Sequence, residues 1–231
     1  IEGFTESVEA PELATLASAH NIPSCVDLGS GSLVDLSYWG LPKEPTPQSV
    51  LEQEIDLVTF SGDKLLGAAQ CGIVAGKKTL IDQIRKNPMK RALRVDKVTL
   101  AILNATLKLY NDPALLPQHL PLLNTLTLSP ETLVARAEDL IANLPAGLTG
   151  EAVNSQAQIG SGALPDQTIP SVAVRLTHDS LSAQKLVDGL RAAPTPIVGR
   201  IKDDQVLLDM RGADPMSELI DTLQRVELGS V

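Results

Sequence analysis

A short apolar run, Ile55 to Phe60, stops at Ser61-Gly62-Asp63-Lys64, and Gly67 follows the lysine. A run of this length reads as a buried strand, and a charged, glycine-bounded segment directly behind it reads as the turn at its end. In α/β folds, chemistry is placed at such strand ends. A second run, Ile22 to Val26, ends in the same way on Asp27, with Gly29-Ser30-Gly31-Ser32 as a turn behind it. Cys71 to Ala75, closed by Gly76, reads as a third strand, and residues 41–47, with three prolines, as a loop. Helical patterns alternate with these runs. Residues 6–20 carry Val8, Leu13, Leu16 and Ala17 on one side, with Pro11 opening or interrupting the helix. Residues 79–86 form a short helix. Residues 96–110 carry a stripe of Val98, Ala101, Ile102, Ala105 and Leu109 behind a capping Asp96. This alternation predicts an α/β layer structure with a largely parallel sheet.

The Pro-rich stretch from Asp112-Pro113 to Pro121 predicts a domain boundary, giving domains 1–115 and 116–231. Beyond it, Ser129-Pro130-Glu131 opens a helix over 129–144. Strands are expected at 152–159, 171–176, 196–201 and 205–210, and helices at 182–192 and 215–226. Asp203-Asp204 is expected to turn a hairpin although it lacks glycine. The second domain is therefore a small α+β domain.

Composition narrows the function. The 231 residues, 43% of them hydrophobic, can bury the core of one large or two small domains. A formal charge of −9 does not suit a chain that binds nucleic acid as a whole. Aromatic residues are 2% of the chain, which argues against a base-stacking platform and leaves few rings to stack on a flat cofactor. No apolar run reaches membrane-spanning length and no signal-peptide pattern opens the chain, so no membrane partner is expected. Cys25 and Cys71 lie inside apolar runs and read as buried free thiols of a reducing cytoplasm. No Cys/His cluster has zinc spacing. His20, His119 and His178 are scattered and read as surface residues, which leaves a histidine triad without support.

Two groups of residues can carry chemistry. A lysine held at a strand end loses its proton more readily and can form a Schiff base. Pyridoxal phosphate enzymes need such a lysine and an acid facing the pyridine nitrogen; Lys64 and Asp27 are the candidates. Taken by spacing alone, Lys64 reads first as a solvated lysine in a glycine-bounded turn. The second group lies in residues 77–97. Eight basic side chains stand there against Asp82 and Asp96, a net +6 that leaves −15 for the rest of the chain of −9. The plain reading is a solvated helical face. The sharper one is an anion site in which Arg91 and Arg94, three apart on a helix, point their guanidinium forks the same way.

The runs Val26-Asp27-Leu28-Gly29-Ser30-Gly31-Ser32-Leu33, Ser61-Gly62-Asp63-Lys64-Leu65-Leu66-Gly67 and Lys90-Arg91-Ala92-Leu93-Arg94-Val95-Asp96-Lys97 resemble the bacterial selenocysteine synthases, L-seryl-tRNA(Sec) selenium transferases. Gln158 to Pro165 and Val198-Gly199-Arg200-Ile201 are similar to further segments of that family. The resemblance implies a fold-type I pyridoxal phosphate transferase: part of the large, mostly parallel-sheet domain, followed by the small α+β C-terminal domain. It implies that Lys64 holds pyridoxal 5'-phosphate, that Asp27 pairs with the pyridinium nitrogen and that Ser61 bonds the cofactor phosphate. It also implies that Asp63 assists proton transfer, although a turn-capping aspartate is an equal reading. Arg91 and Arg94 would bind the phosphate-like part of selenophosphate. The implied reaction converts seryl-tRNA(Sec) to selenocysteinyl-tRNA(Sec) by β-elimination to an aminoacrylate and addition of selenium, with Lys64 taking the Cα proton. Arg211 sits where fold-type I enzymes often bind a carboxylate. The seryl ester has none, so a salt-bridged strand-end arginine is the favoured reading, and Arg200 is read in the same way. Gly29 to Ser32 reads as a plain turn before a phosphate-binding one.

The chain departs from the family in two places. The segment after the lysine, usually Gly-Gly-Pro-Gln-Ala-Gly, is Gly67-Ala68-Ala69-Gln70-Cys71-Gly72 here. Family members are also about twice as long. The resemblance therefore implies a fragment that lacks the N-terminal half, with its tRNA-binding region and most of the phosphate cradle, and that is not active alone. It implies a cytoplasmic homo-oligomer with the site at a dimer interface. Two other readings stand beside it: a related pyridoxal phosphate lyase acting on a small amino acid or amino sugar, and a non-catalytic core fragment that forms subunit contacts.

Overall fold

A computed structural model describes residues 8–160 and 164–226 of the protein, with the side chains of 164–166 outside that description. Phe4, the start of the expected helix at 6–20 and Ser161-Gly162-Ala163 lie outside the described residues. The described residues divide into two compact units, 8–124 with 160 and 164–165, and 125–159 with 166–226.

The first unit opens with α1 (Ala10–Ala19), whose Pro11 sits in the first turn, where its missing N–H costs nothing. There follow β1 (Cys25–Gly29), a 3₁₀ turn at Leu36–Trp39, and α2 (Pro47–Leu51), which Thr46 and Ser49 close with a capping box. Next come β2 (Leu57–Ser61), β3 (Gly72–Gly76), α3 (Lys78–Lys86), α4 (Lys90–Leu93) and α5 (Lys97–Leu109). Asp96 caps α5, as its sequence predicts, by accepting from the N–H groups of Val98 and Thr99. The Pro-rich stretch is not irregular. It forms a 3₁₀ turn at Pro113–Leu115 and α6 (Leu116–His119), and α7 (Pro121–Leu126) starts at its end, with prolines in the first turns. Leu116, Leu120 and Leu123 bury their side chains there.

The three strands of this unit form one sheet in chain order, β1 parallel to β2 and β2 antiparallel to β3. The expectation of a largely parallel sheet is corrected here, and loop length is the reason. Residues 30–56 include a helix and can cross over to a parallel partner; residues 62–71 have no crossover helix and return the chain antiparallel. Val58, Phe60 and Leu66 form the core with Ala14, Val50 and Ile55. Gly31 has φ +57, and a Cβ there would lie 2.3 Å from the Phe60 ring, so only glycine lets the turn behind β1 close on the core. Cys71 is buried, but Cys25 is exposed, contrary to its apolar surroundings in sequence, because β1 ends the strand order.

The second unit contains α8 (Pro130–Ala142), all but the facing ends of β4 (Leu148–Gly160) and β5 (Leu164–His178), then α9 (Ala183–Arg191), β6 (Arg200–Lys202), β7 (Gln205–Asp209) and α10 (Met216–Arg225). Its sheet runs β4-β5-β7-β6, and β7 lies antiparallel to both neighbours. Leu133, Leu140, Val174, Leu176, Leu186, Leu190, Val206 and Met210 join helices to sheet in one core. The strand expected at 196–201 shrinks to β6, since Pro194 and Pro196 cannot donate to a ladder. Asp203 and Asp204 do turn the β6–β7 hairpin, with φ of 50° and 57°. Both central residues at positive φ make a type I′ turn, which aspartate tolerates.

Candidate active site

The parallel pairing of β1 with β2 sets the site. In that register Asp27 faces Thr59, and the Thr59 hydroxyl donates to Asp27 Oδ1 at 2.8 Å. The N–H of Gly29 donates to the same oxygen at 3.3 Å. The chain then leaves β2 through Ser61 into the loop that carries Asp63 and Lys64. Lys64 Nζ reaches back over the end of β1, 3.8 Å from the point where a Cβ on Gly29 would sit. Two adjacent parallel strands thus deliver an amine and a carboxylate to the same sheet end, the arrangement expected of α/β sites. An amine and a carboxylate carried on neighbouring strands in this way suit a cofactor with an aldehyde and a ring nitrogen.

The loop is tightly closed. Gly62 N–H donates to the carbonyl of Cys71 at 2.9 Å, Ala68 N–H to that of Gly62 at 2.7 Å, and Gly67 N–H to that of Lys64 at 2.9 Å. Gly67 has φ +71. Asp63 is exposed on this loop. The side-chain amide of Gln70 lies against it, and because a carboxylate only accepts, the amide nitrogen is the atom that faces Asp63 and donates to both of its oxygens, at 2.6 Å to Oδ2. Tyr110, at the end of α5, donates its hydroxyl to the carbonyl of Leu66 at 2.8 Å, and burial pushes its phenol well above the ordinary value.

Ser30 and Ser32, in the turn behind β1, are 1% exposed, and Ser32 Oγ donates to the Val34 carbonyl at 2.7 Å. The hydroxyls are used inside the turn, in keeping with its reading as a plain turn. Arg91 lies on α4, and Arg94 follows the end of that helix with extended backbone. The continuous helix expected to align the two guanidinium forks is absent, because the helix stops at Leu93. Both arginines are exposed. Arg94, Lys90 and Lys97 rim a groove whose walls include Val74, Ile84, Met89, Leu93 and Leu100. Leu93 is 74% exposed and Met89 64%, an apolar surface beyond that of isolated surface residues.

In the second unit Arg200 and Arg211 are both committed to protein groups. Arg200 donates to Ser155 Oγ and the Gln156 carbonyl and lies 3.7 Å from Asp209. Arg211 is not the salt-bridged strand-end arginine expected. Its guanidinium donates to the carbonyls of Thr125, Leu126, Leu128 and Pro170 at 2.7–3.3 Å. Burial pushes its pKa down, and the nearby Asp209 carboxylate opposes that shift.

Sequence reasoning missed Thr59, Gln70 and Tyr110. No short-range pattern marks them, since each acts through strand register or loop closure. Among the described residues no group of His, Cys, Asp and Glu is arranged to hold a metal ion, and no helix is long and apolar enough to cross a membrane.

The sequence matches the family model SelA, L-seryl-tRNA selenium transferase, over residues 1–214. The L-seryl-tRNA(Sec) selenium transferase of Serratia proteamaculans (strain 568) is 47% identical over 230 residues, covering 96% of this chain and 50% of that protein. The protein of the same name from Pasteurella multocida (strain Pm70) is 48% identical over 229 residues, covering 97% and 50%. The chain spans about half the length of the curated relatives it matches. Among solved structures, D-glucosaminate-6-phosphate ammonia-lyase aligns with a TM-score of 0.59 at 19% identity, over 94% of this chain and 52% of that one. At that identity the likeness is one of fold.

Proposed function

Because the chain belongs to the SelA, L-seryl-tRNA selenium transferase, family, we propose that it forms the lysine-bearing part of a fold-type I enzyme that converts seryl-tRNA(Sec) to selenocysteinyl-tRNA(Sec) with selenophosphate. The observation that carries this reading is Lys64 Nζ lying over Gly29, at the end of the strand that carries Asp27, whose carboxylate is held by Thr59 and the Gly29 N–H. When bound, pyridoxal 5'-phosphate supplies an electron sink for charge developed at Cα. The first unit contributes to its domain, and the second forms the small C-terminal domain.

Lys64 holds the cofactor through Nζ. The same nitrogen would take the Cα proton of the substrate as general base. Asp27 keeps a proton on the ring nitrogen, and its orientation by Thr59 leaves Oδ2 available for that contact. Ser61 donates to the cofactor phosphate. Asp63, next to the base, moves the proton that the departing β-hydroxyl requires. Arg91 and Arg94 bind the phosphate part of the selenium donor, a task that guanidinium groups perform without a shared helix face. The tRNA is held by parts of the protein outside this chain, consistent with the charge of −9. The exposed Met89, Leu93 and Val98 favour burial of this face in a homo-oligomer.

The test is the mass of the whole protein after incubation with pyridoxal phosphate and borohydride reduction, with peptide mapping. A single adduct on Lys64, lost in Lys64→Ala, is expected. An adduct that survives that substitution overturns the assignment.

A further inference from the structure

Asp63 and Gln70 stand opposite each other on the two legs of the loop that joins β2 to β3. The legs are pressed together: a Cβ on Gly62 would lie 2.6 Å from the carbonyl of Ala69 and 2.6 Å from Cys71 Sγ. The bond from Gly62 N–H to the Cys71 carbonyl fixes their register. Asp63 is exposed, so packing does not orient its carboxylate; the Gln70 amide does, by donating to both oxygens. A donor aimed at a carboxylate fixes both its direction and its distance from the neighbouring lysine.

We infer that Gln70 is a positioning residue, which acts on the reaction through Asp63 by holding that carboxylate at the angle from which it serves the departing hydroxyl. The inference rests on the reading of Lys64 and Asp63 as the reacting pair. Displacing a catalytic group by about 1 Å costs up to about a hundredfold in rate, so loss of the clamp reads in kcat rather than in substrate affinity.

The experiment is a double-mutant cycle in the whole protein with Gln70→Ala, Asp63→Asn and their combination. It reads kcat and KM for seryl-tRNA and the borohydride-trapped adduct on Lys64. Gln70→Ala should lower kcat about tenfold or more, leave KM within about twofold and keep the adduct. The double variant should be no slower than Asp63→Asn alone. If Gln70→Ala fails to fold, Gln70→Glu, which keeps the shape and removes the donor, takes its place. Losses that multiply across the cycle, or a Gln70 variant with full kcat, overturn the role of Gln70 while leaving that of Asp63 intact. Full kcat in Asp63→Asn overturns the underlying reading, and this one with it.

Discussion

The hydroxyl of Tyr110 donates a 2.8 Å hydrogen bond to the carbonyl of Leu66. The last residue of a helix cap is thereby tied to the loop that presents Lys64. Leu66 is fully buried, so its carbonyl has no ready replacement in water. Tyr110→Phe keeps the ring and leaves that acceptor unsatisfied. A loss of about 1–3 kcal/mol in the first unit is expected, together with faster amide hydrogen exchange around Leu65 to Gly67. Unchanged thermal unfolding and exchange would mean that the loop is held by its internal bonds alone.

Asp56 joins β2 to its neighbours. It accepts from Ser24 N at 2.8 Å and Ser24 Oγ at 3.1 Å, and pairs with Lys77 Nζ at 2.5 Å. The Lys77 ammonium, and after it the Ser24 N–H, hold its carboxyl below the ordinary value. A carboxyl depressed in the folded state stabilises the fold above its unfolded pKa of about 3.9 and loses that contribution as pH falls through the folded value. Asp56→Asn should therefore be less stable than the parent at neutral pH, and the difference should shrink as acid titrations pass below about pH 4. A pH-independent difference in urea midpoint would assign the effect to packing.

Arg211 is 7% exposed and serves as the common donor for four carbonyls of the second unit. Arg211→Ala removes all of these bonds and should cost about 3 kcal/mol or more, read by thermal unfolding. Arg211→Lys should recover only part of that, because an ammonium cannot span the fork. A stable Arg211→Ala variant with weakened substrate binding would instead restore the carboxylate-binding reading.

Arg91→Ala with Arg94→Ala should weaken selenophosphate, or inorganic phosphate as its probe, by about a hundredfold, each of the two lost charged contacts being worth about tenfold. The loss should diminish as ionic strength rises. Unchanged affinity would leave the two arginines as solvated charges.

The elements were legible where local rules govern them. Asp96 and Ser129 each cap the helix that follows, as their positions in sequence foretell. Asp203-Asp204 turns its hairpin despite the missing glycine. The parts that were not legible depend on distant chain. Antiparallel pairing of β3 follows from how the loop at 62–71 closes, which apolar runs do not encode. The helix expected to align Arg91 with Arg94 ends at Leu93, although nothing in the residue types there demands a stop. Within the site, Lys64 and Asp27 stand out as charged groups at the ends of apolar runs, whereas Thr59 becomes relevant only once β1 and β2 are in register.

The two thiols of the first unit differ sharply in access, Cys25 on an outer strand and Cys71 under the loop. Cys25 lies two residues before Asp27, so a maleimide or iodoacetamide rate at this position is a native reporter of what lies along that strand. Alkylation of Cys25 that slows as protein concentration rises would show that this side becomes covered on association, while Cys71 serves as the internal clock for unfolding. No dye, tag or introduced cysteine is needed to follow assembly.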